Sequence, residues 1–388
     1  MFLSAGYGRA TKRGEHVSTY KIAWLPGDGI GIEVLEAAKL VLDKIELSAE
    51  YVPGDIGWEF WRKEGDALPQ RTIDLLRWAD AAMFGAITSK PAKAAEAELA
   101  PFMQGQNRVY RSPIVRMRQL LDLYVCLRPC KAYPGNPLNV DEGIDIVVFR
   151  ENTEDLYCGV EFAPVPERLA KHLSEMSNNF QAFKNLDPED YAVSCKINTR
   201  HGSERIARAA FDHAHKNRRK KVTVVHKANV VRMSDGLFLE VCREVAKDFP
   251  GIELEDANID AMCMWLLKNP HNYEVLVAPN LYGDIISDLC AQMVGGLGFG
   301  CSGNIGADMG VFEPTHGSAP KYAGQYKVNP IATILAAKMM LEWLGEKDKA
   351  AVVEGAVAEV IAEGTVRTYD MGGSDGTLDL ARAVADKI

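Results

Sequence analysis

Two aspartates four residues apart, Asp284 and Asp288 in GDIISDL, share one face if that segment is helical. Adjacent carboxylates repel, and a divalent cation relieves the repulsion; the competing reading is a pair of acids solvating the first turn of a helix. Asp260, ahead of AMCMWLL, offers a third carboxylate or simply starts a helix. An all-oxygen set selects Mg2+ or Mn2+ over a metal held by thiolates. A series of three arginines gives a second signal. Arg128 follows LYVCL and Arg150 follows IDIVVF, so both are expected at the carboxyl ends of strands, where open α/β sheets bind ligands. With Arg118 they form a set whose guanidinium forks suit a substrate bearing two or three carboxylates. Ordinary salt bridges account equally well for any one of them. Tyr157, closing RENTEDLY, and Lys227, after VTVVH, could return and accept protons, although either alone is more often structural. Their meaning comes from the acids and arginines around them.

Two glycine-rich stretches could meet a nucleotide. PGDGIG, residues 26–31, lacks the GxGxxG spacing of the common dinucleotide fingerprint and serves equally as a strand-to-helix turn. HGSAPKY could bind an adenosine and its phosphates through backbone amides, His316, Lys321 and Tyr322; a surface loop can share this composition.

These residues need a scaffold. KIAWLPGDGIGIEVLEAAKLVLDKI reads as strand, turn and helix from Lys21. A helix over 71–78, a strand over 81–87 and strands near 124–127 and 144–149 continue an α/β alternation. Residues 163–188 break it with turn formers around NN and LDPED, as a helix-containing subunit contact or a surface insertion. Alternation resumes with a strand over 192–197, then SERIARAAFDHAHKN, VTVVHK, SDGLFLEVCREVAKDF, EVLVAPN and, after the long loop HGSAPKYAGQYKVNP, IATILAAKMMLEWL.

The chain of 388 residues has room for two domains, and its 47% apolar and 25% charged content is that of a globular protein. A net charge of −9 argues against nucleic acid as a partner. The one dense basic run, Arg218 to Lys221, reads as a helix end before a strand. Eight cysteines without paired zinc-like spacing point to reduced structural thiols in a cytoplasmic protein. The first residues, with Gly6, Gly8, Lys12 and Arg13, read as a polar arm with neither a secretory signal nor a membrane helix.

From about Lys21 onward the ordered segments LPGDGIG, RENTEDLYCGVE, KINTRHGSERIARAAF, VVHKANV, NIDAMCMWLLKNP, APNLYGDIISDL, EPTHGSAPKYAG and TYDMGG resemble the β-decarboxylating dehydrogenases. That family includes isocitrate, homoisocitrate, 3-isopropylmalate and tartrate/malate-type enzymes. The resemblance implies an α/β fold distinct from the ordinary Rossmann domain: a large domain from 1–123 and 295–388, a small domain from 124–159 and 198–294, and a clasp over 160–197. It implies a homodimer with shared active sites and no membrane or nucleic-acid partner. Substrate contacts fall on Ser112, Ile114, Arg118, Arg128 and Arg150, with Tyr157 delivering a proton. Lys227 and the metal-contacting Asp260 come from the neighbouring subunit to face Asp284 and Asp288.

Within the family, YRSPIVRMRQLLDLYVCLRP resembles the isocitrate-using branch, so the expected reaction is oxidative decarboxylation of isocitrate to 2-oxoglutarate and carbon dioxide. Ile114 replaces the Asn of the usual SxN pattern, which keeps homoisocitrate and 3-isopropylmalate as alternatives. For the nucleotide the resemblance implies contacts at Glu313, His316, Gly317, Ser318, Ala319, Lys321, Tyr322, Asn329 and Tyr369. Lys321 and Tyr322 resemble the pair that holds the 2′-phosphate of NADP, whereas Gly373 stands where a phosphate-contacting Arg occurs; NADP is expected, with NAD the alternative. Residues 90–109 depart in length from the family and carry no assigned nicotinamide contact. A metabolite-binding protein without turnover is the competing class, and it leaves Tyr157, Lys227, Asp260 and Asp284 unexplained.

Overall fold

The computed structural model describes residues 19–106 and 108–388, so the arm expected over 1–18 lies outside the described residues. Among the described residues, ten of twelve strands form one sheet. They are β1 (Tyr20–Gly27), β2 (Ala49–Pro53), β3 (Ala81–Ala86), β4 (Val125–Lys131), β5 (Asp145–Glu151), β8 (Lys221–His226), β9 (Glu253–Asn258), β10 (Val275–Ala278), β11 (Cys301–Ile305) and β12 (Gly310–Pro314). β6 (Glu161–Phe162) and β7 (Val193–Ser194) make a separate antiparallel pair.

The sheet order is β2-β1-β3-β12-β11-β4-β5-β10-β8-β9. The first four strands are mutually parallel, and so are the last four. Between them β11 and β4 pair antiparallel to each other and to their outer neighbours β12 and β5. Strands drawn from 1–123 and 295–388 therefore gather at one end, and strands drawn from 124–159 and 198–294 at the other. The short apolar runs of β3 and β10 are buried throughout, as expected of strands covered on both faces.

The described residues form thirteen α-helices around the strands: α1 (Gly31–Lys44), α2 (Trp58–Glu64), α3 (Gln70–Trp78), α4 (Ala92–Ala97), α5 (Pro113–Leu120), α6 (Glu167–Met176), α7 (Arg200–Lys216), α8 (Ser234–Ala246), α9 (Ile259–Lys268), α10 (Asn280–Met293), α11 (Ile331–Trp343), α12 (Lys347–Glu363) and α13 (Thr377–Asp386). IATILAAKMMLEW is apolar around most of its circumference, and α11 is accordingly buried on nearly all sides within the main core. Thr199 caps α7 by accepting from the Gly202 amide. The basic run 218–221 does join the end of α7 to β8.

Two expectations are corrected. The strand expected over 192–197 shrinks to Val193–Ser194, which pairs with the equally short β6, while Ile197 makes a single separate bridge to Asp155. Arg128 does not end its strand; it sits in the middle of β4, whose pairing continues to Lys131 opposite Asp145. The 163–188 segment contains α6, in which no residue is buried, and its Met176 is 86% exposed. All eight cysteines are free thiols.

Candidate active site

PGDGIG makes the expected strand-to-helix turn, but its contacts run to the second glycine-rich loop. Gly27 and Gly29 have φ of 69° and 55°, and the Ile30 amide donates to the Ser318 carbonyl at 2.9 Å. A Cβ on Gly29 would lie 2.1 Å from that same carbonyl oxygen, so only glycine permits the approach. Asp28 accepts from the amides of Trp58 and Thr88, and the Thr88 and Ser318 hydroxyls meet at 2.6 Å. Asp28 and Thr88 were not singled out by sequence; an acid between two positive-φ glycines was the available signal.

The arginines converge on one cavity of about 370 Å³. Its walls hold Ser112, Ile114, Arg118, Arg128, Arg150, Tyr157, Asp284, Glu313, His316 and Gly317. Arg118, in the last turn of α5, donates to Asn304 Oδ1 at 2.8 Å and to Glu313 Oε1 at 3.3 Å. Glu313, grouped with the nucleotide contacts by resemblance, is thus buried against the arginine and also accepts from Asn304 at 2.7 Å. Asn304 is a further residue the sequence did not reveal; its inward position on β11 was not legible without the pairing.

Arg128 donates to Ser287 Oγ at 2.7 Å, Asp288 at 3.0 Å and Asp284 at 3.3 Å. Arg150 donates to Asn280 Oδ1 at 2.8 Å and pairs with Asp284. Among the described residues the Arg128 Nε and one terminal Arg150 nitrogen have no acceptor although both are buried. Unpaired buried donors of this kind mark places where a ligand acceptor compensates them. Arg150 also lies 4.9 Å from the Tyr157 ring centre.

Asp284 and Asp288 do share one face of α10. Burial raises the Asp284 carboxyl, but Arg150 and Arg128 outweigh it and hold the group below its ordinary range. Burial pushes Asp288 up, with Asp284 adding to it against Arg128. Burial and then Asp284, whose Oδ2 accepts a hydrogen bond from the phenol, raise Tyr157 and keep it protonated.

Asp260 is not in this cavity. It sits in the first turn of α9 and pairs with Lys227, which follows β8. Among the described residues of one chain, no group of three or more His, Cys, Asp or Glu side chains could hold a metal. The acids therefore form two separate half-sites, Tyr157 with Asp284 and Asp288, and Lys227 with Asp260.

Beyond His316 the loop leads to an exposed patch. Lys321 Nζ lies 4.6 Å from the Tyr322 ring, Lys327 Nζ lies 4.4 Å from it, and the Tyr322 and Tyr369 rings are 5.7 Å apart. Ala319 takes the left-handed conformation at φ 35°, turning the chain into this patch. Asn329 donates to Asp370 beside Tyr369 at 3.0 Å. Lys327 was not anticipated. Gly373 has a physical reason: a Cβ there would lie 2.0 Å from the Arg367 carbonyl oxygen, so no side chain fits on this backbone.

An α/β sheet with central antiparallel strands thus carries one cavity that joins three buried arginines to an acid–phenol pair. The comparisons place it more closely: residues 21–385 match the isocitrate/isopropylmalate dehydrogenase family, and the chain belongs to it. It is 42% identical to a 3-isopropylmalate dehydrogenase of Archaeoglobus fulgidus over 94% of this chain and 98% of the relative. It is 40% identical to an isocitrate/homoisocitrate dehydrogenase of Thermus thermophilus over 95% and 98%. It also matches the Legionella pneumophila protein DlpA at 38% identity over 94% of this chain, but spans only 58% of that longer protein. The isocitrate dehydrogenase of Methylococcus capsulatus superposes with a TM-score of 0.82 at 37% identity, covering 95% of this chain and 99% of that one. The chain is an oxidoreductase of this family, and among the described residues no helix is long and apolar enough to cross a membrane.

Proposed function

We propose that the protein oxidises isocitrate with NADP and releases carbon dioxide to give 2-oxoglutarate. The observation that carries the reading is the single cavity in which three buried guanidiniums meet the Tyr157–Asp284 pair and the start of the His316 loop. Arg118, Arg128 and Arg150 would hold the substrate carboxylates through their fixed forks. Lys227 of a second copy of the chain would take the hydroxyl proton as the carbon gives up its hydride. Loss of the β-carboxylate as carbon dioxide leaves an enolate, and Tyr157, kept protonated, returns a proton to its carbon.

The oxygen donors suit Mg2+ or Mn2+, because Asp284, Asp288 and Glu313 balance the three arginines and leave little net charge to attract a polycarboxylate. Held by Asp284, Asp288 and a second copy's Asp260, the cation would supply Lewis-acid stabilisation of charge on the substrate oxygen. That arrangement needs a homodimer with shared sites. α9 and α10 pack together and leave Met264, Leu267 and Ile285 exposed, as expected of an interface. The exposed 160–197 segment, read as a clasp, and the division into large and small domains belong to the same reading.

NADP supplies the hydride acceptor. Lys321 and Lys327 on the Tyr322–Tyr369 patch favour its 2′-phosphate, with Lys327 providing a cation that Gly373 cannot. NAD is the alternative. A second substrate reading rests on Ile114, which lines the cavity with Phe84, Ala86, Ile87 and Val115; this apolar wall suits the longer chain of homoisocitrate or the alkyl group of 3-isopropylmalate.

The test is an initial-rate matrix of the three acids with NADP and NAD, with and without Mg2+ or Mn2+. Highest kcat/KM for isocitrate with NADP supports the proposal. Preference for another acid makes Ile114 the selecting residue, and no turnover with any pair favours a metabolite-binding protein.

A further inference from the structure

We infer that Lys196 is a positioning residue that ties together the two half-sites of each chain. It follows β7 in the return arm of the 160–197 segment, yet its side chain is only 14% exposed. Its ammonium lies 2.8 Å from Asp155 Oδ1, 3.1 Å from Asp235 Oδ1 and 4.4 Å from the centre of the Tyr282 ring. Both carboxylates are fully buried.

Each carboxylate spends its other oxygen on the backbone of a half-site. Asp155 Oδ2 accepts from the Leu281 amide at 2.9 Å, in the first turn of α10, the helix that carries Asp284 and Asp288. Asp235 Oδ2 accepts from the amide of Lys227 itself at 2.7 Å. Among the described residues neither Oδ1 makes a hydrogen bond of good geometry, so the ammonium charge, with the Tyr282 hydroxyl beside Asp235, compensates two buried carboxylates. Asp155 has φ 68°, a conformation costly for a residue with a side chain, and two residues on stands Tyr157. Strain retained at this point is what aims the carboxylate at α10.

One cation therefore sets the start of the Asp284 helix and the backbone of Lys227 at once. If Lys227 and Asp260 serve a second copy's cavity, as the proposed shared site requires, Lys196 also joins the two active sites of the dimer. The positioning itself stands whether or not that shared-site reading survives.

The experiment compares the full-length wild type with Lys196→Met and Lys196→Arg by amide hydrogen exchange and by turnover. In Lys196→Met, exchange at the Leu281 and Lys227 amides rises by at least about tenfold together, while the buried β3 and β10 amides stay as in wild type. Lys196→Arg restores most of this protection. With the best substrate found, Lys196→Met lowers kcat by about 10²-fold and shifts KM by less than about threefold, and Lys196→Arg recovers at least about tenfold. The inference is overturned if only one of the two amides loosens, if exchange rises throughout the chain, or if kcat stays within threefold of wild type. Should the wild type turn over none of the acids, the proposed function fails while the two amides still decide the role of Lys196.

Discussion

The arginine-lined cavity and the Tyr322–Tyr369 patch are joined by a few residues of one loop, yet opposite means hold them. In the cavity, the arginine side chains are between 1% and 8% exposed and each has a buried acceptor. In the patch, Lys321 is exposed, Tyr369 is 48% exposed, and the contacts are rings and ammonium groups resting on rings. Buried, charge-assisted hydrogen bonds set position strictly, whereas exposed cation–π contacts contribute on the order of 0.5–1 kcal/mol and allow adjustment. The charged groups of the cavity are therefore fixed in position by the fold, whereas under the proposed function the choice of nucleotide rests on weaker and more replaceable contacts.

The largest expected effect comes from breaking the first region. Asp284→Asn is expected to cut metal-supported kcat on the order of 10³-fold, since several kcal/mol of charge stabilisation depend on that carboxylate. A metal titration with unchanged kcat and midpoint would remove Asp284 from the site. Next, Arg118→Met leaves Glu313 buried without its cation and is expected to cost about 3 kcal/mol of stability in urea unfolding. A loss below about 0.5 kcal/mol, typical of surface substitutions, would erase the contrast with the patch.

The patch should respond more gently. Lys321→Asp is expected to lower kcat/KM with NADP about tenfold more than with NAD, and equal losses would contradict a 2′-phosphate contact. The smallest effect belongs to the boundary of the cavity. Ile114→Asn is expected to raise the preference for isocitrate over 3-isopropylmalate by a factor of about 3 to 10, measured as a ratio of kcat/KM values. A ratio that moves the other way would assign the apolar wall no part in selection.

Much of this contrast was readable from sequence because it rests on local signals. The i, i+4 spacing of Asp284 and Asp288, the apolar runs before Arg150 and Lys227, and the glycines around Asp28 each report on their own segment. Arg128 was misplaced to a strand end because nothing local announces that β4 pairs antiparallel on both sides. Asn304 and Lys327 escaped for the same reason: their partners, Arg118 and Tyr322, are brought to them by tertiary packing or a turn, with no spacing rule to announce them. Glu313 was grouped with the nucleotide contacts by resemblance, while the alternation of β12 turns it toward the arginines. Ile114 and Gly373 were visible as departures, but only the cavity wall and the Arg367 carbonyl show what each departure does.

The antiparallel middle of the sheet has a further consequence for inheritance. In a wholly parallel sheet, ligand-binding residues sit mostly on the loops beyond the strand ends, where insertions and exchanges are tolerated. Here Arg128 stands inside β4 and Asn304 inside β11, in strands hydrogen-bonded on both sides. A descendant could trade loops freely and acquire a new nucleotide or a new side-chain preference. Moving these two residues would mean re-registering the centre of the sheet, so the pocket that the proposed function gives to the substrate carboxylates is harder to rearrange than the loops around it.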